Sequence, residues 1–153
     1  MAKKNLGVVR GARAATAMAL ADRYTAGDLA KRMAKLKARS AATGSASEML
    51  QQYANHFTML AYRTSDGGAE LHQQFADIFF VARGKAVLVT GGSIPNAVEE
   101  GPGELRGKAV KGGKRTALGA GDVVHIPAGL PHQILVPNGR GFLYFVIKVK
   151  EHD

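Results

Sequence analysis

Gly121-Asp122-Val123-Val124-His125-Ile126-Pro127-Ala128-Gly129-Leu130-Pro131-His132 is the stretch that decides the fold. Gly121-Asp122 is a turn signal, Val123–Ile126 is a short apolar run, and Pro127 to Pro131 is a stiff segment hinged on Gly129. His132 then opens the next extended run, His132–Val136. A turn, a strand, a rigid turn and a histidine at the head of a second strand together describe all-β architecture.

A second segment upstream has a related texture. Glu70-Leu71-His72-Gln73-Gln74-Phe75-Ala76-Asp77 is followed by six residues and then Gly84. Alternate residues of a strand share a face, so Glu70 and His72 point to one side together. Asp77 heads the next apolar run, in phase with Phe79 and Val81. The two segments, in this order, resemble the two motifs of the cupin superfamily, the second being G-x5-P-x-G-x2-H. The resemblance runs over residues 55–149. It implies an all-β fold, the cupin-type double-stranded β-helix or jelly-roll barrel, here with an N-terminal α-helical arm. The usual first motif is His-x-His, three or four residues, Glu, six residues, Gly. On this chain Glu70 stands at the first His, His72 at the second and Asp77 at the Glu, and the six-residue gap to Gly84 is kept.

The resemblance implies a divalent metal ion held by Glu70, His72, Asp77 and His132. Two imidazoles with one or two carboxylates suit a borderline or hard cation, so Fe, Mn, Zn, Ni and Cu all stay open. Asp77 is one methylene shorter than Glu; it either ligates or orients a ligating histidine. Such a centre would take a small oxygenated molecule, with dioxygenase-like or isomerase/lyase-like chemistry as the classes the family suggests. The alternative is a non-catalytic barrel that binds a small ligand without metal. A third class, association with DNA or a membrane surface, would act through the basic N-terminal arm. Cupins of this size are commonly dimers, which implies a homodimer.

The remaining candidates have plainer readings. His125 cannot be phased across the Pro/Gly turn and is read as structural, with a place in the pocket as the alternative. His56 begins a strand and His152 lies in the tail. Gln73, Gln74 and Phe75 are read as a turn. Arg106, between Gly103 and Gly107, is read as part of a solvated loop, the alternative being a bidentate grip on an anionic substrate group.

Around these motifs the chain divides into a basic leader and amphipathic helix, residues 1–44, and a barrel, residues 45–153. Thr25 and Asp28 have capping-box spacing, and Leu29, Met33 and Leu36 fall on one face of a helix reaching Arg39. Ser40 to Ser47 reads as a linker, with β texture from about residue 53. Strands are expected at 56–62, 70–73, 77–81, 86–90, 123–126, 132–136 and 142–149. Phe142 to Ile147 is apolar on both faces, which suits a strand between two layers. Gly91 to Thr116 reads as a long Gly/Pro-rich excursion with one short strand near 105–110.

Composition sets the outer bounds. The chain has 153 residues, enough for one domain with a core, and no cysteine, so disulfides, thiolate metal sites and cysteine nucleophiles are excluded. No apolar run reaches the roughly 18 residues of a membrane span. The formal charge of +9 is concentrated before residue 44, where Lys3, Lys4, Arg10, Arg13, Arg23, Lys31, Arg32, Lys35, Lys37 and Arg39 face only Asp22 and Asp28. The barrel is nearly neutral and lacks the aromatic-interleaved basic sheet of RNA-binding modules, so a small molecule rather than nucleic acid is the expected partner. Residues 1–21 have the outline of a signal peptide, a basic start and a small-residue stretch ending Ala19-Leu20-Ala21. A cytoplasmic protein is the first expectation and an exported one the alternative.

Overall fold

The computed structural model describes residues 21–152. The signal-like stretch and most of the basic leader lie outside the described residues. Helix α1 spans Ala26–Arg39, and eleven antiparallel strands follow: β1 Ser45–Gln52, β2 His56–Arg63, β3 Ala69–His72, β4 Phe75–Arg83, β5 Lys85–Thr90, β6 Val98–Gly101, β7 Glu104–Gly107, β8 Lys114–Gly119, β9 Val123–Ile126, β10 His132–Leu135 and β11 Phe142–Lys150. They form a five-stranded sheet, β1-β2-β11-β4-β9, and a six-stranded sheet, β6-β7-β3-β10-β5-β8.

Alternation along the strands builds two cores. On β11, Phe142, Tyr144 and Val146 face the space between the sheets, where they meet Phe79, Val81, Leu88, Ile126 and Ile134. Leu143 and Phe145 face the other way and pack under the helix with Leu60 and Tyr62. The two-faced apolar run therefore has a layer on each side, as its sequence requires. Helix α1 is capped by Thr25, whose hydroxyl accepts from the Asp28 N–H while the Asp28 side chain accepts from the Thr25 N–H. Its apolar stripe lands Leu36, fully buried, on the outer core, with Leu29 and Met33 beside it. Burying one such leucine is worth about 1.5–3 kcal/mol.

The fold departs from expectation in two places. Ser45–Gln52 is a strand, not the end of a linker. It is an edge strand, so only one of its long edges pairs, with β2. Ala46 and Leu50 touch the helix-side core, while Met49 stays exposed; its small, polar residues therefore carry little hydrophobic periodicity. The excursion from Gly91 likewise holds a hairpin, β6–β7, and the start of β8, where one short strand was expected. Val98-Glu-Glu-Gly and Glu-Leu-Arg-Gly are charged because β6 closes the edge of its sheet, beside β7.

Two glycines of the motifs, Gly84 and Gly129, have backbone reasons. Gly84 turns β4 into β5 at φ +88°, where a Cβ would stand 2.2 Å from the Gly141 carbonyl oxygen. Gly129 has φ +78°, and its N–H donates to the His72 carbonyl at 2.7 Å. The second motif thus carries the chain from β9 in one sheet to β10 in the other, tied in passing to the end of β3.

Candidate metal centre

The register of the two sheets gathers the site. In the six-stranded sheet His132 on β10 is the cross-strand partner of Glu70 on β3, with His72 two residues further along β3. In the facing sheet Asp77 on β4 is the cross-strand partner of Lys148 on β11. These five inward side chains meet across the gap between the sheets. His72, Asp77 and His132 are buried.

One carboxylate oxygen of Glu70, an imidazole nitrogen of His72 and one of His132 all lie within 4.8 Å of one another. Glu70 Oε2 is 3.4 Å from His72 Nε2 and 3.8 Å from His132 Nε2. Asp77 Oδ2 lies 3.5 Å from each of the same two nitrogens. The outer nitrogens are already engaged. His132 Nδ1 is 3.0 Å from the Leu130 carbonyl oxygen, which can only accept, so Nδ1 carries the proton. His72 Nδ1 is 2.6 Å from Glu104 Oε2 and donates to it in the same way. Both Nε2 atoms are thereby turned toward the centre, the arrangement that fixes the tautomer of a ligating histidine. His132 Nε2 is buried without a hydrogen-bond partner. The donor set therefore fits a divalent cation.

A cation of the chain's own stands among these donors. Lys148 Nζ is 2.7 Å from His72 Nε2 and 2.7 Å from Asp77 Oδ1. A metal ion taking His72 Nε2 would displace the first of these contacts and leave the second. A hydrogen bond between two nitrogens needs a lone pair on one of them, so His72 Nε2 and Lys148 Nζ do not both carry their full complement of protons.

Charge is balanced locally. Burial pushes the Glu70 carboxyl up, but its hydrogen bond to His72 and the charges of Arg106 and His132 outweigh this and hold it at about 2. Burial also works against ionising Asp77, yet the close approach of the His132 and His72 imidazoles and the Lys148 charge keep it well below the usual carboxylate range. Burial pushes the His72 imidazole down; the Asp77 and Glu70 carboxylates overcome it and raise it to about 9, with Lys148 opposing them. Arg106 on β7 brings Nη1 to 3.6 Å from Glu70 and Nη2 to 3.3 Å from Glu104.

The centre opens on a cavity of about 260 Å³ between the sheets. Its apolar walls are Met59, Ala61, Phe79, Ile134 and Val146, and Arg63, Tyr144 and Gln133 add polar groups. Arg63 Nε donates to the Tyr144 hydroxyl at 3.1 Å. Burial pushes the Tyr144 phenol above its ordinary value.

The four residues expected from the sequence are thus brought together, and three of them form the tight donor group. Arg106 lines the cavity from a strand, not a solvated loop. Lys148 and Glu104 were not expected. Lys148 has a signal in retrospect: it continues the inward phase of Phe142, Tyr144 and Val146. Glu104 has none, because β7 carries no apolar alternation. The other histidines lie elsewhere. The His125 side chain is exposed, its Nε2 3.8 Å from Glu151. His56 stacks on Tyr53 and bonds Asn55, and His152 is exposed. Gln73 and Gln74 form the turn between β3 and β4.

No family model matches the sequence, and no curated protein matches it. Solved structures do. The TT1209 protein of Thermus thermophilus superposes with a TM-score of 0.55 at 16% identity, over 79% of this chain and 93% of its own. An uncharacterized Klebsiella pneumoniae protein with a double-stranded β-helix domain gives 0.53 at 14%, over 71% and 78%. KdgF from Halomonas sp. gives 0.53 at 12%, over 72% and 82%. Two facing antiparallel sheets, crossed by a Pro/Gly motif that brings His132 between them, give this chain the double-stranded β-helix, jelly-roll fold of these structures.

Proposed function

We propose that this barrel is a small metallo-cupin: Glu70, His72 and His132 hold one divalent metal ion, and the adjoining cavity binds a small oxygenated molecule. The observation that carries the reading is the pair of imidazoles whose Nδ1 atoms are spent on Glu104 and Leu130 while both Nε2 atoms converge with Glu70. Asp77 orients the histidines from the facing sheet and keeps Lys148 beside them. When bound, the ion would supply Lewis acidity and open positions for oxygen ligands. The chain's own part is to position the ligand between the two sheets and manage protons. Lys148, hydrogen-bonded to His72 and facing the cavity, is placed to deliver or accept a proton. That favours isomerase- or lyase-like proton transfer among the chemistries of the fold.

The second reading, a metal-free ligand-binding barrel, is favoured by Lys148 itself, an ammonium already among the donors. Metal analysis separates the two. Full-length protein purified without added metal, then offered Fe, Mn, Ni, Cu or Zn, should take up one equivalent. His72→Ala and His132→Ala should each abolish that uptake while leaving the fold. Glu70→Gln should weaken it, and Asp77→Asn should weaken it less. Wild-type protein that takes up none of these metals, or a double histidine variant that still binds one equivalent, refutes the metallo-cupin.

A further inference from the structure

Arg63 is, among the described residues, the cavity cation without an ion-pair partner, Glu70 acting on it only from beyond 4 Å. It projects from β2 into the cavity with most of its surface removed from water. Its Nε is spent on the Tyr144 hydroxyl, a neutral group. Among the described residues no carboxylate lies within 4 Å of its guanidinium, whereas Arg106 has three carboxylates and Lys148 has Asp77 within that range. A cation taken out of water without an anion is costly and is normally paired. The planar fork of a guanidinium matches a carboxylate.

We propose that the cavity's ligand is a small organic acid whose carboxylate pairs with Arg63. The walls decide between an organic acid and an inorganic anion. Met59, Ala61 and Ile134 present hydrocarbon that would pack on a carbon skeleton and would offer nothing to free phosphate. The volume, about 260 Å³, lies below the range of roughly 300–1,000 Å³ for drug-sized ligands, so the acid is small. This rests on the metallo-cupin reading only in sharing its cavity. Arg63 forms no ion pair with Glu70 and no hydrogen bond to the candidate ligands, so the two can fail separately.

The test is binding to the full-length protein by calorimetry or ligand-observed NMR, once stripped with chelator and once loaded with Zn. The probes are butyrate, 2-hydroxybutyrate and 2-oxobutyrate, with 2-hydroxybutyramide as the neutral counterpart and inorganic phosphate as the rival anion. At least one acid should bind in a form that the amide matches only about tenfold more weakly or worse, the worth of a charge-assisted pair. Arg63→Met should lose about tenfold or more for the acid while metal uptake stays unchanged. If Arg63→Met fails to fold, Arg63→Lys, which keeps the charge without the fork, should bind the acid several-fold more weakly. The proposal is overturned if no acid binds either form, if amide and acid bind alike, if phosphate binds and the acids do not, or if the folded Arg63 variant binds the acid as wild type does. Acid binding by a chain that takes up no metal would sink the metallo-cupin and leave this assignment standing.

Discussion

Lys148→Met is the substitution that most directly probes the centre, because it removes a cation from a crowded set of donors and puts hydrocarbon of similar length in its place. Lys148 contributes twice, by pairing with Asp77 at 2.7 Å and by occupying the lone-pair direction of His72 Nε2 at 2.7 Å. Asp77 is buried, and its Oδ1 has no other partner. Removing one member of a buried pair costs about 3–5 kcal/mol. Lys148 keeps part of its surface open to the cavity, so the lower end applies, about 3 kcal/mol. For a chain of this size that corresponds to roughly 6–12 °C in melting temperature. The effect on metal has the opposite sign. The ammonium no longer competes for His72, and losing that competitor is worth about one charged hydrogen bond, roughly 1.5–3 kcal/mol, or about 10- to 150-fold in affinity. Metal at about 100 times its dissociation constant returns about 2.7 kcal/mol to the folded state, which offsets most of the loss. The assay is thermal unfolding of both proteins in chelator and then across a Zn or Ni titration, with calorimetry for the dissociation constants. The variant should melt lower than wild type without metal, bind metal more tightly and recover most of its stability with it. Equal melting in chelator together with unchanged metal affinity would show that Lys148 neither compensates Asp77 nor stands where the metal goes.

Other perturbations test separate parts of the argument. Gly129→Val should destabilise by about 1–3 kcal/mol, the scale of a forced positive φ; no atom lies within 4 Å of the added Cβ, so Gly129→Asn, which tolerates that φ, should cost clearly less, and equal costs in denaturant titrations would mean the strain is not in the backbone. Leu36→Ala should cost about 2–5 kcal/mol in chemical denaturation, since Leu36 anchors the helix to the five-stranded sheet; a loss under 1 kcal/mol would show that the barrel does not rely on the helix. Glu70 is held at about 2 in the folded chain against an ordinary 4.5, so between these values the unfolded state binds the extra proton. Its contribution, at most about 3 kcal/mol, is present above pH 4.5 and is lost as pH falls toward 2; Glu70→Gln should flatten that part of the stability curve, and an unchanged slope would remove Glu70 from the buried network.

The barrel was legible where one face of each strand is apolar. Val123–Ile126 has the bounds its sequence suggests, and the helix begins at its capping box. Ser45–Gln52 was not legible because an edge strand with one side on the helix and Ser47 on the cavity needs no regular alternation. The same reason hid β6, an edge strand of charged residues, while β7 beside it is four residues long and carries no apolar alternation. At the site, the resemblance to the cupin motifs implied that Glu70, His72, Asp77 and His132 meet, and the sheet register brings them to one inter-sheet locus. Lys148 escaped because it lies outside both motifs, at the end of a strand otherwise notable only for its apolarity. Its role is visible once register pairs it with Asp77. Arg63 escaped for a like reason, as the final residue of a β2 that reads as plain core strand.

In the proposed metal centre, the departures from the cupin motif that this chain resembles come with their own compensation. Where the family's common set has three histidines and a glutamate, this one has two histidines and two carboxylates, one more negative charge in a buried space. Glu70, at the position of the missing histidine, has Arg106 Nη1 at 3.6 Å from its neighbouring strand arrangement on β7. Asp77, at the position of the glutamate, has Lys148 at 2.7 Å from β11. Each carboxylate is therefore met by a cation on the strand that pairs with its own, Glu70↔Arg106 and Asp77↔Lys148 in the register. Two carboxylates and two neighbouring cations, each pair fixed by a direct cross-strand partnership, fit the proposed centre with its charge balanced. A site that had merely decayed would have no need to keep both carboxylates ionised, and replacing Arg106 or Lys148 would then leave the stability of Glu70 and Asp77 as buried anions unaffected. The paired geometry requires the opposite: Arg106→Met should raise the Glu70 carboxyl toward its ordinary value, measurable by carboxyl-carbon NMR titration, and leave Asp77 where it is. A Glu70 titration that does not move would show that Arg106 is a bystander and that the balance of the centre lies elsewhere.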